Sequence, residues 1–570
     1  MPSEEFILDV RNLRVRYGPR DAGVEAVRDI SFTLTRGNTL ALVGASGAGK
    51  SAAAYSILRL LEPAGHIEAG EILFNSSSAP AVNIAALPGN DPLLYKLRGG
   101  KIGMVFQEPL SALSPIHTIG DHILESIRVH RTLHKRDAKT IAHDMLAKVG
   151  FSDPEKRMRQ YPFELSGGMR QRAVIAMALV CRPELLIADE PTTALDVTVQ
   201  AQILDLLKSL KKDLGLSILF ITHDFNVVGK IADDIAVMHE GKIIETGPAR
   251  NIFESPTHPI TRELLLATPK FTPASTSAAI LPQKDLILQV KGLTKHFDLR
   301  RKRLFTSSHE IIKAVDNISF DLFRGEALGI VGESGSGKTT AVRCILRALK
   351  PTAGSVLFTN NSRTVDLAAA SSASLKPLRR EMQMVFQDPF TSLNPRMSVG
   401  ELIAEPLIIH GLGSRKERVD RVVEMLEQVG LKTEHLSRFP TAFSAGQRQR
   451  IAIARALILR PALVVADEAV SSLDAMVQGQ ILNLLRDLQR QLQLTYIVVA
   501  HNLAVVRAFC NRVAVMHQGK IVEIGTAEQV LSQPQHPYTQ TLLSAVLSPN
   551  GNTWTRSASF ASASTEPIRP

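Results

Sequence analysis

Cysteine and tryptophan are scarce in this chain, with three of the first and one of the second in 570 residues. Cys181, Cys344 and Cys510 stand far apart with no paired spacing, which argues against a disulfide framework or a cysteine metal cluster and predicts reduced, buried thiols. No run approaches the roughly 18 consecutive apolar residues that a membrane-spanning helix needs. Met1 to Asp9 (MPSEEFILD) is acidic and carries no signal-peptide pattern. The expectation is a chain that stays in the cytoplasm and does not itself cross a membrane. Aromatics make up 5% of the residues, but hydrophobic residues reach 45% and charged ones 21%, so an ordinary folded protein is expected, too long at this length for a single core. The net charge of +11 suits nucleic acid, an anionic membrane surface, or no special partner, and its basic residues are spread along the chain. The one dense run, Leu299 to Arg303 (LRRKR), reads as a loop.

What is present is a phosphate-binding pattern. Gly332 to Thr339 (GESGSGKT) fits G-x-x-x-x-G-K-[ST], between a short apolar strand over Glu326 to Val331 and a helical stretch over Thr340 to Leu349. Gly332, Gly335 and Gly337 let the backbone wrap so that its N–H groups, with that of Ser334, face phosphate oxygens, and the following helix adds its positive end. Lys338 can then reach the β/γ-phosphates while the Thr339 hydroxyl holds Mg²⁺.

The pattern occurs twice. Gly44 to Ser51 (GASGAGKS) repeats it, with Gly44, Ser46, Gly47, Gly49, Lys50 and Ser51 in the same places and an offset of 288 (338 − 50). MVFQEP with Gln107 matches MVFQDP with Gln387. LSGGMRQR from Leu165 matches FSAGQRQR from Phe443, LLIADE matches LVVADE, and ITHD with His223 matches VAHN with His501. The last three pairs share an offset of 278 (501 − 223), so length changes are confined to Lys50 to Leu165, as loops would place them. Two domains are expected, 5–267 and 285–548, joined by a Pro/Ser/Thr/Ala-rich linker over 268–284 and followed by a disordered tail over 549–570. Strands alternating with helices predict an α/β core with a largely parallel sheet, and helical patterns at Arg136 to Val149 and Arg415 to Val429 predict an inserted helical subdomain.

These motifs together resemble the ATP-binding-cassette transporter ATPases, with two nucleotide-binding domains fused in tandem over nearly the whole chain. Within that superfamily the stretches FQEPLSALSP and FQDPFTSLNP, and the segments THPITREL at His258 and QHPYTQTL at His536, resemble the importer group for oligopeptides, dipeptides, glutathione, microcins, opines and nickel. The resemblance implies two tandem P-loop NTPase domains, each a mainly parallel sheet with an antiparallel β subdomain and a helical insert.

The chemistry can be argued beside it. Asp189 and Asp467 end apolar strands next to the phosphate loops, where each carboxylate can hold Mg²⁺. Glu190 and Glu468 come next and resemble the family's general base. The resemblance makes His223 and His501 switch residues at the γ-phosphate, and makes Gln107 and Gln387 contacts to Mg²⁺ and the attacking water. Tyr17 and Phe297 resemble the aromatic that stacks on adenine, with a plain core role as the alternative. Ser166 and Gly168, like Ser444 and Gly446, start a helix and offer a hydroxyl, amides and the helix dipole to an anion, the alternative being an ordinary cap. By resemblance that anion is the γ-phosphate of ATP on the opposite domain, so Lys50 would pair with Ser444 and Gly446, and Lys338 with Ser166 and Gly168. Asp196 and Asp474 resemble the loop joining the two sites.

Departures are Ala445 for the first signature glycine, Ala469 after one base, Asn502 after one histidine, and Ala45 and Ala48 in the first phosphate loop. An added methyl at Ala445 matters if that position needs a positive φ. Both sites are expected to hydrolyse ATP, site one more slowly. The implied function is the ATPase subunit of a peptide-class importer, peripheral at the cytoplasmic face of the inner membrane, with two integral-membrane permeases and an extracytoplasmic solute-binding protein as partners. The alternative is a soluble twin-cassette ATPase acting on ribosomes or nucleic acid.

Overall fold

A computed structural model describes residues 6–19, 23–193, 195–267, 285–303, 306–360, 363–470 and 473–546. The expected linker, the whole of the expected tail, the N-terminal edge of the first domain and the C-terminal edge of the second lie outside these residues. The sheets repeat strand for strand in the two halves. In the first, an antiparallel sheet runs in the order Val24–Thr35, Phe6–Tyr17, Gly65–Phe74, Val82–Asn83. Beside it lies a six-stranded sheet in the order Lys242–Pro248, Asp234–His239, Thr39–Val43, Ser217–Thr222, Leu185–Asp189, Ile102–Val105. Five of these six are parallel, and Lys242–Pro248 closes one edge antiparallel. The second half repeats both sheets, with Ala327–Val331 in the place of Thr39–Val43.

The sequence explains this layering. Thr39–Val43, Leu185–Asp189 and Ser217–Thr222 are buried at every residue, as parallel strands covered on both faces must be, which is why they read as unbroken apolar runs. The helical insert is built on Ile119–His130 and Lys135–Lys148, and its second copy on Val399–Ile409 and Arg415–Gln428. Both first helices start with a reciprocal cap, Thr118 with Asp121 and Ser398 with Glu401, which satisfies amides that the helix itself leaves free.

Three sequence expectations change at their edges. The helix after the second phosphate loop spans Lys338–Ile345, beginning within the motif and ending before Arg347, which takes φ 56° and cannot continue it. Glu326 precedes its strand, with its buried carboxylate 3.0 Å from the Arg512 guanidinium. Leu299 to Arg303 is strand rather than loop, pairing from Leu299↔Glu310 to Arg303↔Thr306. Strand pairing satisfies the backbone without requiring an apolar face, so a run of like charge gives no sign of it.

Each half ends in a small extension pinned by one carboxylate. Glu245 accepts from the Thr257 and His258 amides at 2.7 and 3.1 Å, and Glu523 from those of Gln535 and His536 at 2.9 and 3.1 Å. The extension helix Pro259–Ala267 of the first half packs on helix Ala475–Leu492 of the second, with Met476 against the cluster that holds Leu264 and Leu265.

Candidate functional site

The two phosphate loops share their backbone turns and the fold-back of their lysines. Gly49 and Gly337 take φ 97° and 100°, and a Cβ at either would lie 2.2 Å from the Ala26 carbonyl or 2.0 Å from that of Ala314, so glycine is required on both counts. Gly44, Gly47, Gly332 and Gly335 complete the turns. Lys50 is buried and folds back to donate to the carbonyls of Gly44 and Ala45 at 2.9 and 2.8 Å, and Lys338 does the same to Gly332 and Glu333 at 2.7 and 2.8 Å. Burial lowers both lysines below the ordinary ammonium range, against the pull of the nearby carboxylates. Each ammonium is held by carbonyls it can exchange for phosphate oxygens.

The carboxylates stand where the strand positions placed them. The Ser51 hydroxyl donates to Asp189 Oδ1 at 3.2 Å, and that of Thr339 to Asp467 Oδ1 at 3.1 Å. Glu190 and Glu468 leave their strands with φ 46° and 49°, a left-handed turn costing a side-chain-bearing residue about 1 to 3 kcal/mol. Their amides still bond the carbonyls of Ile221 and Val499, each at 2.9 Å, which holds the turn in place. The turn carries each glutamate away from its aspartate and toward a glutamine and a histidine. Gln107 Nε2 donates to Glu190 at 3.0 Å and His223 Nδ1 lies 2.9 Å away, while Gln387 Nε2 lies 2.7 Å and His501 Nδ1 3.6 Å from Glu468. Burial works against ionisation of Glu190, yet His223 and Lys50 hold it down to about 2; Glu468 is lowered in the same way by His501 and Lys338. Both glutamates are therefore ionised acceptors at neutral pH. Thr193 adds a bond of 2.9 Å to Glu190 that the motifs did not announce.

The donor set fits a magnesium ion shared with phosphate. Asp189 Oδ2 is buried without a hydrogen-bond partner, next to the Ser51 hydroxyl. Among the described residues no cluster of three or more His, Cys, Asp or Glu could hold a metal alone. That combination suits an ion held by one carboxylate, one hydroxyl and the oxygens of a bound nucleotide. Gln107 and Gln387 spend their amide N–H on the glutamates, which leaves their carbonyl oxygens for a water or metal.

The two halves cross at these loops. The Ser46 amide donates to Asp474 of the other half at 3.4 Å, and the Ser334 amide to Asp196 at 3.3 Å. Ser166 and Ser444 are exposed and cap their own helices at Met169 and Gln447. Among the described residues the hydrogen bonds across the phosphate loops come from the aspartates and not from these serines. The signature glycines divide their roles: a Cβ at Gly167 meets only Leu195 at 3.7 Å, whereas one at Gly168 or Gly446 would lie 2.5 Å from Cγ1 of Val199 or Val477. Ala445 therefore costs nothing, since it sits at the tolerant position and without a positive φ. The two aromatics differ. Tyr17 is half-buried against Gly65, and Phe297 is 37% exposed with Lys295 Nζ 5.0 Å above its ring.

Comparison with known proteins gives the family. The ABC transporter model matches residues 27–193 and 315–471, and the model for the oligopeptide/dipeptide transporter C-terminal region matches 244–293 and 522–566. The chain belongs to the ABC transporter family. It is 46% identical over 563 residues to a glutathione import ATP-binding protein of Salmonella choleraesuis (strain SC-B67), covering 95% of this chain and 89% of that protein. The corresponding protein of Escherichia coli (strain K12) is 45% identical over 564 residues, with the same coverage. A solved dimeric bacterial ABC transporter cassette is 31% identical over 42% of this chain and 99% of its own, with a TM-score of 0.38. By its family and its relatives this ABC protein is an ATP-binding and ATP-hydrolysing subunit of an importer, and the comparisons do not support the ribosome or nucleic-acid alternative. Among the described residues no helix is long and apolar enough to cross a membrane.

Proposed function

We propose that this chain is the twin-cassette ATPase of an importer for glutathione and short peptides, seated on the cytoplasmic face of the inner membrane against two integral-membrane permeases. An extracytoplasmic solute-binding protein would deliver the cargo. The observation that carries the reading is the oligopeptide/dipeptide C-terminal region in both halves, together with the glutathione import relatives. The two units would run over 5–267 and 285–548.

In each site the phosphate loop (Gly44, Ser46, Gly47, Gly49 and Lys50; Gly332, Ser334, Gly335, Gly337 and Lys338) cradles the phosphates, and Tyr17 or Phe297 faces the base. Ser51, Asp189 and Gln107, or Thr339, Asp467 and Gln387, would hold Mg²⁺. Bound there, the ion would neutralise charge on the β- and γ-phosphates. Glu190 and Glu468, kept ionised, accept a proton from the attacking water, and His223 and His501 orient them and reach the γ-phosphate. Ser444 and Gly446 close over ATP at Lys50, and Ser166 and Gly168 over ATP at Lys338. The crossed bonds of Asp474 and Asp196 support this pairing. Closure of the two cassettes is passed to the permeases, and hydrolysis resets them.

The test is reconstitution of the chain with its permeases and binding protein in vesicles, with uptake of labelled glutathione and of a dipeptide followed with and without ATP. ATP-dependent uptake of either is expected. Absence of both, with RNase-sensitive association with ribosomes instead, would overturn the reading.

A further inference from the structure

The second phosphate loop has a support that the first lacks. Tyr538, the second residue of the extension helix Pro537–Ser544, accepts a hydrogen bond from the Glu333 amide at 3.0 Å through its hydroxyl oxygen. Its ring lies against His517, with centroids 3.9 Å apart. His517 ends the strand Arg512–His517, which runs beside the strand feeding the phosphate loop. The backbone carrying Tyr538 is fixed as well. His536 Nδ1 accepts from the Tyr538 amide at 3.1 Å, and Glu523 anchors Gln535 and His536.

Three restraints converge on two residues of the loop. The Glu333 amide meets Tyr538, the Glu333 carbonyl receives Lys338 at 2.8 Å, and the next amide, of Ser334, meets Asp196 of the other cassette at 3.3 Å. The first cassette has the second and third of these, at Ala45 and Ser46. At the position equivalent to Tyr538 it has Ile260, at the common offset of 278 (538 − 260), which lacks a hydroxyl and packs into the cluster with Val43 and Phe225.

We propose that Tyr538 is a positioning residue that couples the C-terminal extension of the second cassette to that cassette's phosphate loop alone, so that the extension sets ATP affinity at Lys338 and not at Lys50. The proposal rests on Gly332–Thr339 being an ATP site. Tyr538→Phe removes one oxygen and keeps the ring on His517. The full chain is photolabelled with 8-azido-ATP over a concentration series, and labelled peptides are mapped to each cassette. Loss of one hydrogen bond should raise half-saturation on second-cassette peptides about threefold to tenfold, with first-cassette peptides unchanged. In steady-state hydrolysis KM should rise while kcat stays within about twofold. No change on either cassette, an equal change on both, or a fall in kcat at constant KM would overturn the strut. If the parent chain shows no labelling of the second cassette, the site assignment itself fails, and the proposal with it.

Discussion

The two cassettes share a backbone and differ in the side chains set on it. Left-handed residues recur in register: Asp29 and Asn317, Arg59 and Arg347, Arg182 and Arg460, Glu190 and Glu468, Glu240 and Gln518. Around the shared turns the chemistry diverges. Tyr55 faces Asp189 where Arg343 faces Asp467, and Asp224 follows one histidine where Asn502 follows the other. Burial and the charge of Asp189 push the Tyr55 hydroxyl up to about 12, so the first site holds a neutral neighbour where the second holds a cation. The lesson is that the fold dictates where the loop, the carboxylates and the histidine stand, while their neighbours are free to make one site unlike the other.

The strongest way to break the comparison is to silence one site at a time. Glu190→Gln and Glu468→Gln each keep the shape and lose the charged acceptor, so hydrolysis at the altered site should fall by about 10²- to 10⁴-fold. Single-turnover hydrolysis of bound ATP by each variant, and by the pair together, reads this directly. Unequal residual rates are expected, with Glu468→Gln costing more of the total, because the first phosphate loop carries Ala45 and Ala48 where the second carries Glu333 and Ser336. Equal rates would mean that the differences around Asp189 and Asp467 are silent.

Much of this was legible in the residues. The repeat, the loops, the aspartates and the glutamates all sit on local patterns, a run of apolar residues followed by a fixed polar group, and local patterns survive in a linear chain. The left-handed turn at Glu190 and Glu468 was not legible, because it is imposed by a ladder bond to the neighbouring strand. Nor were Tyr55 and Tyr538, whose roles depend on which side chain a distant segment brings alongside. Ala445 looked like a weakness and is not one, because the demand for glycine falls on the following residue.

That division of the signature glycines gives a second, smaller test. Gly168→Ala puts a methyl against stiff Val199 and should destabilise the first cassette by about 1 to 3 kcal/mol, with Gly446→Ala doing the same to the second through Val477. Gly167→Ala copies what Ala445 already does and should stay within about 0.5 kcal/mol. Denaturant unfolding measures both. A harmless Gly168→Ala would mean that the helix contact yields, and that the glycine is there only for the nucleotide.

A further effect is confined to the first cassette. Glu184, just before the strand Leu185–Asp189, gathers Arg36 at 3.0 Å, Lys101 at 3.0 Å, the Ser76 hydroxyl at 2.7 Å and the Ser77 amide at 2.8 Å, whereas the equivalent residue of the second cassette is Ala462. Burial opposes ionisation, but these donors together hold the carboxyl down to about 2, from an ordinary value of 4.5. A depressed acid stabilises the fold fully above its unfolded value and loses that contribution as pH falls through the folded one, here between 4.5 and about 2. With the side chain 16% exposed and solvent screening allowed for, Glu184→Gln should cost about 1 to 2 kcal/mol at neutral pH. Amide exchange along Ile102–Val105 and Leu185–Asp189 should show faster opening in the variant at pH 6, with the gap closing toward pH 3, and no change in Met382–Val385 or Leu463–Asp467. A gap that persists unchanged at pH 3 would mean that the charge of Glu184 is not what stitches this edge of the sheet.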